Sequence, residues 1–415
     1  MIIRGSLIVV SIVAITTGAL LAQAPIDTPP SDALTRLDQQ LARGEATLEY
    51  RDGVGYLPSL LDHLHINVDS QMLVFSKTSF QQAIINPKNP RVLYFNDEVS
   101  VGNVPGGEVY ELLALEPSYG MVFYTLDIRQ TDHPRLRRRG VECLFCHAMG
   151  NKGAPALVVA SVYPDKDGIP AYTSIFISTL DHRAPFDQRW GGWYVTGTHG
   201  SQRHLGNATA ADPLHPLDMD MSHSQNVTTL ADKFDVSKYL TGTSDIVALM
   251  TLEHQVGMAN RLNALTFEYN RAKHDGVSDA DWAELDGDID DLVGYMLFVD
   301  EAPLLEPVKG VSAFTLTFPQ RGPRDKEGRS LRDFDLQKRL FRYPLSYMVY
   351  SELFDGLPAP IRERVYRKLY GVLTGAETGA KYATLSVAER RATLEILRST
   401  KENLPEYWRN NAALN

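Results

Sequence analysis

The sequence predicts an α+β fold, with a β-rich N-terminal half and an α-helical C-terminal half. Two observations carry this. Between Ile66 and Asp127, short β-branched or aromatic runs alternate with turn residues. Beyond Ser244, apolar residues recur three and four apart over long stretches. No internal repeat interrupts either half.

Taken in order, Ser31-Asp32 is placed to cap a helix carrying Leu34, Leu37 and Leu41 on one face, with Gly53, Gly55 and Pro58 breaking the pattern after it. The runs 72–75, 91–95, 108–113 and 121–126 read as antiparallel strands. Asn86-Pro87, Asn89-Pro90, Gly106-Gly107, Pro117 and Gly120 provide the turns between them. Ala156 to Val162 and Thr173 to Ser178 read as two more strands joined at Asp165-Lys-Asp-Gly168. Residues 181–229 lack a period and read as a long functional loop. Helices are expected from Ser244 to His274, Asp279 to Val299, Asp335 to Phe354, Ala359 to Leu373 and Ser386 to Ser399. The expected organisation is an N-terminal signal or anchor over 1–24 and a β-rich domain over 25–230. A helical segment over 231–300 and a helical C-terminal domain over 301–415 follow.

The chain of 415 residues has a net charge of −10, which argues against a nucleic-acid partner. Arg4, the apolar run from Ser6 to Leu21 and Ala22-Gln23-Ala24 follow the order of a secretory signal. Pro25 makes cleavage directly after Ala24 unfavourable, so the segment is cut elsewhere or remains as a tether. The expected location is periplasmic or secreted, with membrane contact through that segment only.

The only two cysteines lie in Cys143-Leu144-Phe145-Cys146-His147, the C-x-x-C-H pattern of covalent c-type haem attachment. Two thiols three positions apart reach the two vinyl groups on one porphyrin edge, and the following histidine reaches the iron. A redox C-x-x-C needs no histidine and follows a buried strand, which 135–140 does not resemble. Zinc needs about four ligands, and no second pair provides them. A disulfide here would close a very small loop. On these five positions the chain resembles the c-type cytochromes. The resemblance implies haem c held covalently by Cys143 and Cys146, with His147 as proximal ligand. It further implies electron transfer with a redox partner protein. Residues 328–344 are similar to segments of large secreted bacterial cytochromes of unassigned role. The size of the chain also fits an alternative, a peroxidase-like or small-oxide-handling haem enzyme with an open distal site.

For the sixth iron position His204 is the first candidate, in a glycine-bearing loop beside Trp190 and Trp193, with His199 close by. His254 and Met258, four apart on one helical face, come second, and Met219, Met221 and His223 third. Met149 is too near His147 to pass around the macrocycle. Arg135, Arg137, Arg138 and Arg139 read either as a solvated turn or as a positive collar for propionates or an acidic partner. Arg329, Arg332, Arg339 and Arg342, with Tyr343 and Tyr347, read as propionate binders or as a solvated helix face. Asp286 to Asp291 lacks the glycine and downstream glutamate of a calcium loop and reads as the acidic start of a helix. Asn207-Ala-Thr209 and Asn226-Val-Thr228 match the glycosylation triplet. No G-x-S-x-G, phosphate loop or hydrolase triad is present.

Overall fold

A computed structural model describes residues 30–118, 120–140, 143, 147, 153–171, 180–212, 214, 215 and 217–409. The segment 1–24, Cys146, Met149 and the expected strand from Thr173 to Ser178 lie outside the described residues.

The chain is α+β. Among the described residues its sheet has seven antiparallel strands in the order β6-β5-β4-β3-β2-β1-β7. These are β1 (Met72–Val74), β2 (Arg91–Phe95), β3 (Val99–Asn103), β4 (Val109–Glu116), β5 (Gly120–Asp127), β6 (Leu136–Arg139) and β7 (Trp193–Tyr194). Side chains alternate between the two faces, as the pleat requires. On β5, Val122, Tyr124 and Leu126 join a first core, under helices α1 (Ala33–Arg43) and α2 (Leu57–His63). Met121 and Phe123 point the other way, into a second core that runs through the C-terminal helices to Trp408. The sheet is therefore shared between two apolar layers.

Helix α1 begins where expected. The Asp32 carboxylate accepts from the Leu34 and Thr35 N–H groups at 2.8 and 3.0 Å, and Gly44 at φ 70° ends the helix. Helix α3 (Ile246–Asp275) has 30 residues, and its first nine are all buried. Buried on every side over this stretch, the helix starts inside the core rather than on its surface. Its N-cap, Asp245, is itself fully buried and also accepts from the Val311 and Ser312 N–H groups at 2.8 and 2.7 Å. Helices α4 (Asp279–Met296), α5 (Ala359–Thr374) and α6 (Val387–Thr400) complete the helical layer. Asp286, Asp290 and Asp291 pair with Arg364, Lys368 and Arg261, so this acidic run is helix as expected, though it lies in the middle of α4 and not at its start. Among the described residues no helix is long and apolar enough to cross a membrane.

Three expectations are corrected. Residues 156–162 are not a sheet strand. They run extended beside α3, where the Asn260 side chain pairs with both backbone groups of Leu157 at 2.8 and 2.9 Å, and Val162 N–H donates to the Gly191 carbonyl. An asparagine and a loop take the hydrogen bonds that a neighbouring strand would otherwise take. The turn after it forms as expected, with Gly168 N–H donating to the Asp165 carbonyl at 3.0 Å. Asp335 to Phe354 is not a helix; it is turns, a 3-10 segment at Tyr347–Tyr350 and a short helix at Glu352–Asp355. Pro344 removes a donor there, and Phe334, Phe341, Tyr347 and Phe318 pack on one another with ring centroids 5.0 to 6.1 Å apart. Arg137, Arg138 and Arg139 form the edge strand β6 and not a solvated turn, because Leu136 anchors that strand in the first core, while Arg135 precedes it and pairs with Asp38.

Candidate functional site

His147 lies on the sheet face that the C-terminal helices cover, its ring centroid 4.8 Å from that of Phe123 on β5. Its Nδ1 donates to the Ala156 carbonyl at 2.8 Å, and its own carbonyl accepts from Ala156 N–H at 2.8 Å. A carbonyl only accepts, so the ring proton sits on Nδ1 and Nε2 keeps its lone pair. This is the tautomer that a metal-ligating histidine needs, with the outer bond fixing the ring's orientation. Burial pushes the imidazole below its ordinary pKa, which also keeps it neutral. Cys143 is half-buried against the second core, and its N–H donates to the Gly140 carbonyl at 3.1 Å. The donor set present, a thiol and a neutral imidazole with a free Nε2, fits a c-type haem.

Next to Phe123 the same sheet face turns from apolar to charged. Phe95, Ser100, Leu113, Phe123 and Arg139 lie opposite one another across β2 to β6. The next row holds Leu93, Gly102, Glu111, Thr125 and Arg137. Arg91 pairs with Glu111 at 2.6 Å, and Arg139 Nε donates to Thr125 at 2.9 Å.

His204 is buried in the loop after β7, beside Trp190 (5.3 Å) and His199 (4.8 Å). Its Nδ1 accepts from Gly206 N–H at 3.0 Å, so its ring proton is on Nε2, the opposite tautomer to His147. Burial, reinforced by His199, takes its pKa down to about 3. His199 Nε2 accepts from Asn226 N–H at 3.1 Å. Asn207 and Asn226 spend their amides on this loop, bonding Val195, Ser224, His199 and Gly200.

His254 and Met258 share a fully buried stretch of α3. Both ring nitrogens of His254 are engaged, Nδ1 with His182 Nδ1 at 2.9 Å and Nε2 with Ser346 Oγ at 2.7 Å. Tyr295 and Phe298 stack on it, and burial takes its pKa down to about 3. Beside it the buried Glu253 accepts from Arg189 at 3.1 Å. Burial raises the Glu253 carboxyl to about 7 against the pull of Arg189. His182 is the residue that sequence reasoning missed. It lies 72 positions from His254, in a stretch without periodicity, so no pattern joins the two.

Of the arginines considered for propionates, Arg135 pairs with Asp38, Arg329 with Asp325 and Glu395, and Arg339 with Glu389. Arg332 is buried, donates to Asp97 at 3.1 Å and lies 4.4 Å from the Tyr347 ring. Met219, Met221 and His223 lie in the loop after β7, where Met219 forms an isolated antiparallel bridge with Ala210. Among the described residues no three His, Cys, Asp or Glu side chains gather as a metal group.

No protein-family model matches this chain, and no curated protein or solved structure matches it either.

Proposed function

We propose that this chain is an exported monohaem c-type cytochrome that transfers electrons, with haem c bound through Cys143 and Cys146 and the iron held by His147. The supporting observation is the C-x-x-C-H order together with the His147 Nδ1 bond to Ala156, which leaves Nε2 free. When bound, haem c supplies one-electron exchange between Fe(II) and Fe(III). The chain's own part is to fix the imidazole, to hold it neutral by burial and to place Phe123 against one side of it. The partner in this reading is a redox protein, and the setting is the periplasm or the exterior.

A second reading, a haem enzyme with an open sixth position, is favoured by one observation. His204 carries its proton on Nε2, and His254 has both nitrogens engaged, so each would have to break a buried hydrogen bond to ligate iron.

The test is protein matured with haem-attachment machinery, followed by intact mass and a pyridine haemochrome spectrum. Covalent haem in the wild type, lost with Cys143→Ser plus Cys146→Ser, supports the proposal. Absence of covalent haem in the wild type refutes it. Low-spin iron then favours the electron carrier, and high-spin iron that binds carbon monoxide favours the enzyme.

A further inference from the structure

We propose that Arg91 is a carboxylate-binding residue that seats a haem propionate beside His147. This rests on the haem reading above. The guanidinium lies flat on the sheet across Gly102: a Cβ added there would sit 2.7 Å from Nη2 and 3.0 Å from Nε. Only glycine leaves room for that path, which brings Nη2 to Glu111. Glu111 does not satisfy the whole group. The Nε–H of Arg91 is buried and has no hydrogen-bond partner. A buried donor of a charged group is costly to leave unmade, so an acceptor is missing at this position.

Position and charge indicate what that acceptor is. Glu111 lies one row along the sheet from Phe123, on which the His147 ring rests. Arg137 and Arg139 stand on the same sheet face. A group attached at Cys143 and Cys146 brings two carboxylates of its own to this neighbourhood, and the planar fork of arginine matches a carboxylate.

The experiment compares wild type, Arg91→Gln, Arg91→Lys and Gly102→Ala, all full-length and matured with haem. Mass and haemochrome spectra give haem per chain, and a redox titration gives the reduced-to-oxidised ratio at a fixed applied potential. With a propionate on Arg91, Arg91→Gln keeps its haem and shifts that ratio toward oxidised iron about tenfold, ~59 mV for one electron. An unpaired propionate stabilises Fe(III). Gly102→Ala shifts it the same way, because the new Cβ displaces a guanidinium whose charge is retained. Arg91→Lys restores part of the ratio. Haem attached and ratios within about twofold of wild type, in both Arg91→Gln and Gly102→Ala, overturn the proposal at the resolution of that conversion. A wild type without covalent haem overturns the haem reading itself, and this proposal with it. Should Arg91→Gln fail to accumulate, Gly102→Ala decides alone.

Discussion

The buried titratable groups predict a broken acid-stability profile. His204 and His254 have ordinary pKa values of 6.5 and folded values of about 3. Below pH 6.5 the unfolded chain takes up these protons and the folded chain does not, so stability falls as pH falls. Glu253 has the opposite sign. Its folded value is about 7 against an ordinary 4.5, so between those limits the folded chain holds a proton that the unfolded chain lacks. That contribution grows as pH falls to 4.5 and is constant below it. Each unmatched proton changes stability by about 1.4 kcal/mol per pH unit. Glu301, buried and likewise raised to about 7, acts with Glu253, so between pH 6.5 and 4.5 the two carboxyls offset the two histidines and this slope is near zero. Below pH 4.5 both histidines act together, and the slope rises to about 3 kcal/mol per unit. Down to pH 3 the total is roughly 4 kcal/mol, a large fraction of the stability of many domains. His182 is also held well below its ordinary value by burial and acts in the histidine direction. The assay is urea unfolding by far-ultraviolet circular dichroism at half-unit steps from pH 7 to 3.5. In Glu253→Gln half of the offset disappears, and the upper limb steepens by about 1.4 kcal/mol per unit. A wild-type slope that is uniform across pH 4.5, or an upper limb unchanged in Glu253→Gln, refutes the reasoning.

Asp245→Ala removes the cap of α3 and leaves the Val311 and Ser312 N–H groups without their acceptor. It should lower unfolding free energy by at least about 2 kcal/mol, measured by urea titration. Gly257→Ala places a Cβ 2.0 Å from Tyr295 Oη, beneath Arg261 at 3.8 Å from that ring. It should cost about 1–3 kcal/mol by thermal unfolding. His204→Ala converts low-spin iron to high-spin if His204 is the sixth ligand. An unchanged low-spin spectrum passes the test to His254 and Met258.

The sequence was most legible where structure is set locally. Leu34 and Leu37 with Asp32 before them define α1, because cap and stripe lie within one short segment. The four aromatic or β-branched runs became β1, β2, β4 and β5 for the same reason. Legibility failed where tertiary contacts decide. Val99–Asn103 contains Gly102, a poor strand former, yet it is a central strand because β2 and β4 pair with it on either side. Leu136–Arg139 is a strand by virtue of one buried leucine among arginines. Pro58 looked like a helix breaker and instead starts α2, where its missing N–H is harmless.

The site divides along the same line. C-x-x-C-H is readable because thioether and iron chemistry demand those residues within five positions. What prepares His147 is not readable from that spacing. Its Nδ1 partner is a carbonyl, Ala156, that any residue could provide. Its neighbour Phe123 is one of many strand aromatics. Arg91, 56 positions before His147 and on another strand, looks in sequence like the first residue of β2 and nothing more. Only the pairing of β2, β3 and β4 lays its side chain over Gly102 and toward Glu111. The same holds for Ser346, His182 and His254, joined across α3 by bonds between residues 72 and 92 positions apart. Those bonds hold the His254 imidazole in place and engage both its nitrogens. The four-residue spacing of His254 and Met258 therefore says which side of α3 they share, while the bonds from distant residues decide what that side can offer to a metal.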